Sequence, residues 1–371
     1  MTDLRAATWR AVQDMRPASV AVVALFGLVA AGSAQRPAVA TSVPWTRVLQ
    51  QSDTWYGSDE ARRIADSVLR HQHANGGWPK NVDMTVPPAV EPVPSGDSSG
   101  STIDNGATTT QVRLLARVAH ASGEARYREA VGRGVAYLLT SQYPNGGWPQ
   151  EYPVRTNYTR RITFNDNAMV NVMALLDEVA GGAAPWAFLD PPTRARARSA
   201  VDRGIEVTLR MQVRVNGGLT AWCAQHDEVT LEPRGARTYE HPSLSGMETV
   251  GLVRFLMARA TPADARLAPA IDAAVAWLNA VKLPGVRLQD QPAPSTPRGW
   301  DRVLIADPAA PPLWARFYEI GTNRPIYSGR DGVIRYRLDE IEYERRTGYA
   351  WVGDWPRTLV EREYPDWRAR R

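Results

Sequence analysis

Apolar residues recur along this chain at the spacing of buried helix faces, and they do so on a fixed period. The first set is Ala61, Ala65, Val68 and Leu69; the second is Val131, Val135, Leu138 and Leu139; the third is Val201, Ile205 and Leu209. Positions i, i+4, i+7 and i+8 lie on one side of an α-helix, so each set predicts a helix with an inward stripe. A glutamine follows each stripe, at Gln72, Gln142 and Gln212, 70 residues apart twice over. Asn-Gly-Gly comes next, and these residues accept positive φ, end a helix and turn the chain. The third copy has slipped by one residue before Asn216-Gly217-Gly218 and carries Leu219 where the others carry Trp78 and Trp148. A fourth stripe, Ile271, Val275 and Leu278, arrives on schedule without the turn after it.

Between these helices the pattern predicts others over 107–119, 168–180 and 247–260, with matching pairs at Leu114-Leu115, Leu175-Leu176 and Phe255-Leu256. Each repeat therefore reads as a helix, a Gly-rich turn with a long loop, and a second helix. Helices that alternate in this way bury their stripes by stacking side by side, closing into a ring if the rotation allows. The expected fold class is all-α: an α/α toroid of about three repeated helical hairpins, an incomplete α/α barrel, with long loops and a small irregular C-terminal segment.

The N-terminus reads differently. Arg5, Arg10 and Arg16 precede an apolar run over 20–31, and Gly32 and Ala34 suit a cleavage site, so 1–34 reads as a signal peptide. Ala38-Val39-Ala40 offers a second cut, and an uncleaved anchor is the alternative. The run is short for a membrane span. The expectation is a secreted or periplasmic monomer without stable membrane association after cleavage, whose single catalytic domain fills 41–371. Two stretches, 84–101 and 284–312, are rich in proline and read as irregular loops.

Composition changes this picture little. A hydrophobic fraction of 44% supplies a core. The net charge is +5 and all but two of the 44 basic residues are arginine, but they are scattered, so nothing points to nucleic acid. Cys223 is the only cysteine, which excludes an intramolecular disulfide; beside Trp222 it reads as a buried structural thiol.

The candidate chemistry lies where the second helices begin. Repeat one has Ile103-Asp104-Asn105-Gly106 there, and repeat two has Phe164-Asn165-Asp166-Asn167. One Asx residue suffices for an N-cap. Runs of two and three at equivalent places bring several hard oxygen donors to one end of the toroid, and such donors suit Ca²⁺. Repeat three has arginines instead, Arg234 and Arg237, in the loop before its helix. Further on come Arg316 and Arg330, and guanidinium groups bind carboxylates with paired, directional hydrogen bonds. Acids and arginines together describe a site for a polyanion. Trp78 and Trp148 could stack sugars, but core packing that locks the repeats explains them better.

Six strings resemble the family 10 pectate lyases: 72–80 (Gln-x-x-Asn-Gly-Gly-Trp-Pro-Lys), 103–108, 164–169, 222–227 (Trp-Cys-Ala-Gln-His-Asp), 316–320 (Arg-Phe-Tyr-Glu-Ile) and 327–332 (Tyr-Ser-Gly-Arg-Asp-Gly). The resemblance implies an α/α toroid that cleaves α-1,4-linked polygalacturonate by calcium-assisted β-elimination and releases 4,5-unsaturated oligogalacturonides. It implies that Asp104 and Asp166 help to hold Ca²⁺, with the amide of Asn105 nearby on the substrate. It implies Arg237 as the Brønsted base, with Arg234 the competing candidate, and Arg316, Arg330 and Lys80 as contacts to the substrate. Free arginine has a pKa of about 12.5–13.8. Nearby cations and desolvation are expected to lower it, and an alkaline optimum follows.

Three other readings compete. An inverting glycoside hydrolase on the same fold would use Asp104 and Asp166 as acid and base. The spacing Gln142-x3-Gly146-x-Trp148 also occurs in terpenoid cyclases, but no Asp-rich ionisation motif accompanies it here. A catalytically dead carbohydrate-binding protein would have lost site residues that this chain retains.

Overall fold

The computed structural model describes residues 43–88, 100–261 and 264–371. The expected signal peptide, with both cleavage sites, and most of the 84–101 loop lie outside the described residues. Among the described residues, seven long helices follow one another: α1 (Asp59–Arg70), α2 (Thr109–Ser122), α3 (Ala125–Thr140), α4 (Ala168–Gly181), α5 (Pro191–Met211), α6 (Glu248–Arg259) and α7 (Leu267–Ala280). Helices α2, α4 and α6 are buried on most faces, whereas α1, α3, α5 and α7 expose one side. The first three form an inner layer and the others an outer one, as the α/α toroid requires. Short connections join each inner helix to the next outer helix. The long loops run from the ends of outer helices to the starts of inner ones, so all of them gather at one end. No helix among the described residues is long and apolar enough to cross a membrane.

The period is built into the hydrogen bonding. Gln72, Gln142 and Gln212 each donate from Nε2 to a carbonyl of the next outer helix, at Ala130 (3.0 Å), Ala200 (2.8 Å) and Ala270 (2.9 Å). Gly76 and Gly146, at φ 91° and 100°, make the turn and press against that helix. A Cβ on either would stand 2.3 Å from the carbonyl oxygen of Arg133 or Arg203, so only glycine fits. Trp78 and Trp148 are fully buried, and their indole N–H groups donate to Val68 and Leu138.

The third repeat has not lost its tryptophan after all. Trp222 donates to Thr208, and Trp314 donates to Leu278, which continues the series of acceptors at 68, 138, 208 and 278. A two-residue ladder, Arg214–Val215 with Gly218–Leu219, lengthens the third turn and displaces its tryptophan along the chain. A larger insertion displaces the fourth. Strands β1 (Val286–Pro292) and β2 (Trp300–Ala306) form a seven-residue antiparallel hairpin where the proline content predicted an irregular loop. Pro292, Pro294 and Pro297 lie at the end of β1 or in the connection, where they interrupt no ladder. The second helices begin one or two residues from their expected starts or on them. The C-terminal segment adds short bridges, a small cluster around Phe317, Tyr327 and Trp351, and two short helices, α8 (Tyr343–Gly348) and α9 (Tyr364–Ala369).

Candidate active site

At the loop-bearing end, each inner helix is preceded by a tight turn. In the first, Asn105 sits at φ 50°, ψ 32°; in the second, Asp166 sits at φ 50°, ψ 33°. Backbone geometry therefore equates Asn105 with Asp166, and Asp104 with Asn165. Neither acid caps its helix by a side-chain hydrogen bond. The two turns pack against each other, and the second also packs against α6.

Residues two places after the buried tryptophans emerge at this rim: Lys80, Gln150, Ala224 and Arg316. Lys80 forms a salt bridge to Oδ2 of Asp104, and Gln150 Nε2 donates to the same oxygen at 2.7 Å. The amide of Asn105 donates to Asp104 Oδ1, and the Asn105 side chain donates to Asn81. Gln150 was not singled out from the sequence, although it stands 70 residues after Lys80.

Arg316 ties the second turn to the third repeat. Its Nη2 donates to Asn165 Oδ1 (3.1 Å), to Asp166 Oδ1 (3.0 Å) and to Glu248 Oε1. The backbone holds it there: Arg316 N donates to Trp351, its carbonyl accepts from Gly246, and Phe317–Tyr318 pairs with Leu244–Ser245. Burial alone would lower the Arg316 pKa, but Glu248, Tyr349 and Asp166 outweigh it and hold the cation well above its ordinary value. Glu248 is buried at the first position of α6, and also bonds Ser245. An acid at the start of the third inner helix was its one sequence signal.

Arg237 lies in a turn closed by hydrogen bonds from Ala236 N to the Glu240 carbonyl and from Glu240 N to the Arg237 carbonyl. Its Nε (2.8 Å) and Nη2 donate to the two oxygens of Glu240, whose Oε1 also accepts from Tyr349 Oη at 2.7 Å. The Tyr349 ring lies 5.6 Å from the Arg237 guanidinium and 4.8 Å from that of Arg316, so one aromatic side chain joins the two arginines. Arg234 faces elsewhere, bound to Asp227 at 3.1 Å.

The expected lowering of the Arg237 pKa does not occur in this arrangement. Burial acts in that direction, but the hydrogen bonds and charge of Glu240 prevail and push it above its ordinary value. Arg330 is not brought against the other candidates. It is exposed and pairs with Glu344, although its loop passes close to Thr238, with Gly332 against that residue's carbonyl. Cys223 is buried, and burial pushes its thiol up, as suits a structural residue.

The donors at Asp104, Asp166, Asn105 and Asn165 are hard oxygens of the kind Ca²⁺ takes. Among the described residues no group of three or more acids, histidines or cysteines converges on one point.

Comparison with known proteins agrees with this geometry. The family model described as pectic acid lyase matches residues 72–360. The structure is similar to that of a family 10 polysaccharide lyase from Cellvibrio cellulosa, at 36% identity and a TM-score of 0.72, covering 84% of this chain and 94% of that one. It is also similar to an aspartate-to-alanine mutant of a family 10 polysaccharide lyase from the same organism in complex with trigalacturonic acid, at 37% identity and a TM-score of 0.73, covering 84% and 96%. A search of curated proteins gives no match. The toroid, its rim of paired acids and arginines, and these likenesses agree: the chain is a polysaccharide lyase and belongs to the pectic acid lyase family, family 10 of the polysaccharide lyases.

Proposed function

We propose that this chain cleaves α-1,4-linked polygalacturonate by calcium-assisted β-elimination, with Arg237 as Brønsted base. The observation that carries the reading is the single rim on which Lys80, Asp104, Asp166 and Arg316 pair with one another, while Tyr349 links Arg316 to Arg237. Cations there can exchange a protein carboxylate for a uronate carboxylate. Asp104 and Asp166 would hold Ca²⁺ together with the substrate, and Asn105 would stand beside it. When bound, the cation stabilises the charge that develops on the uronate carboxylate as C5 loses its proton. Lys80 and Arg316 orient that carboxylate. Arg330, on its exposed loop, takes a carboxylate farther along the chain.

Neutral Arg237 takes the C5 proton, the C5–H electron pair becomes the C4=C5 double bond, and the C4–O bond breaks. The leaving oxygen gains a proton from water. Secretion or periplasmic residence and a monomeric state complete the proposal. Each acid pairs with a cation, the wrong partner for the proton donor of an inverting hydrolase. Incubation with polygalacturonate, with calcium and then with chelator, tests the reading by ultraviolet absorbance. Calcium-dependent growth at alkaline pH is expected. New reducing ends without absorbance would turn the reading to hydrolysis, and a rate that peaks below neutrality would remove Arg237 as base.

A further inference from the structure

We infer that Glu240 is the positioning residue for Arg237: it clamps Nε and Nη2, leaves Nη1 as the nitrogen presented to substrate, and sets the pH range of the reaction. The inference rests on the reading of Arg237 as base. Its ground is the asymmetry of the pair. The Glu240 side chain is 3% exposed and that of Arg237 is 42% exposed, so the acid is fixed inside and the guanidinium faces outward. Surface ion pairs between residues three apart are exposed at both ends and contribute little. Here the acid takes three hydrogen bonds from Arg237, counting the backbone N–H (3.1 Å), and a fourth from Tyr349. Two of the three guanidinium nitrogens are held, which fixes the plane of the group and the direction of the third.

Other charged and titratable groups complete the surroundings of Arg237. Tyr239 lies 4.9 Å from its guanidinium, and Arg345 of α8 lies 4.8 Å from the same ring. Arg316 shares the Tyr349 ring, Arg330 acts on Tyr239, and Glu344 bonds both Arg345 and Arg330. Arg345 favours proton loss from Arg237, whereas Tyr349, Tyr239 and above all Glu240, the carboxylate bonded to it among the described residues, oppose it. A carboxylate in this place makes the neutral guanidine scarcer but a stronger base once formed, the balance expected of general base catalysis. Glu240 therefore trades rate near neutrality for orientation and basicity.

The test is the pH profile of kcat/KM on polygalacturonate with calcium. In Glu240→Gln, which keeps the shape and removes the charge, the midpoint of the ascending limb is expected to move down by about one pH unit or more. On the ascending limb well below the midpoint this is a gain of about tenfold at fixed pH. Glu240→Asp keeps the charge, so its midpoint stays near wild type while kcat falls. A uniform loss in Glu240→Gln with the midpoint unmoved overturns the inference. Arg237→Ala, measured beside it, separates the two claims. If it is inactive and the Glu240→Gln midpoint stays put, only the positioning role fails; if it turns over substrate, the assignment of the base fails and the inference with it.

Discussion

Gln212 donates to the carbonyl of Ala270 at 2.9 Å, as its counterparts do in the first two repeats, yet its own Oε1 is buried without a partner. In those repeats the oxygen accepts from Arg133 or Arg203, each 61 residues ahead of its glutamine. The equivalent position is Ala273, which is half-buried. We expect Ala273→Arg to restore the missing bond and raise stability by about 0.5–1.5 kcal/mol, read as the shift in urea midpoint at constant slope. Loss of stability would show that the third interface has closed too far to admit the side chain.

Arg316 and Glu248 form a buried pair at the rim, with side chains 5% and 1% exposed. Arg316→Ala leaves Glu248 buried with only Ser245 and the Asp166 amide as partners, and should cost about 3–5 kcal/mol as well as turnover. The double variant with Glu248→Ala should recover part of that stability but none of the activity. A double variant as unstable as the sum of the singles would mean that the two groups do not act as a pair.

His226 is a pH-dependent brace. Its Nε2 accepts from the Cys223 amide at 3.2 Å, so Nδ1 carries the proton and donates to the Leu231 carbonyl at 2.9 Å. Burial lowers its pKa to about 4 from 6.5. Between those values the unfolded chain binds more protons than the folded one. Stability is thus fully present above about pH 6.5 and declines as pH falls towards about 4, by about 3 kcal/mol in all. Thermal unfolding from pH 7 to pH 5 should show the decline, and His226→Gln should flatten it. An equal slope in the variant would assign the effect to other groups.

The family is legible in the sequence because its marks are local. Glutamine after an apolar stripe, Asn-Gly-Gly, and Asx residues at a helix start can each be read within a dozen residues. Trp222 and Trp314 escaped that reading because insertions moved them off the period while their indoles kept the same acceptors. The hairpin formed by β1 and β2 escaped it because proline content signals a break without saying where a ladder resumes.

What the sequence determined by itself is the repeat: helix periodicity, turn chemistry and the buried tryptophans follow from the conformational preferences of neighbouring residues. Only the tertiary structure decided which charges meet. Lys80 and Gln150, from successive repeats, share one oxygen of Asp104, and Arg316 reaches back 150 residues to Asp166. Glu240 and Tyr349, 109 residues apart, settle how Arg237 is held. Coulomb and hydrogen-bond energies depend on separations of a few ångströms and on burial, and loops set both by paths that no local preference encodes.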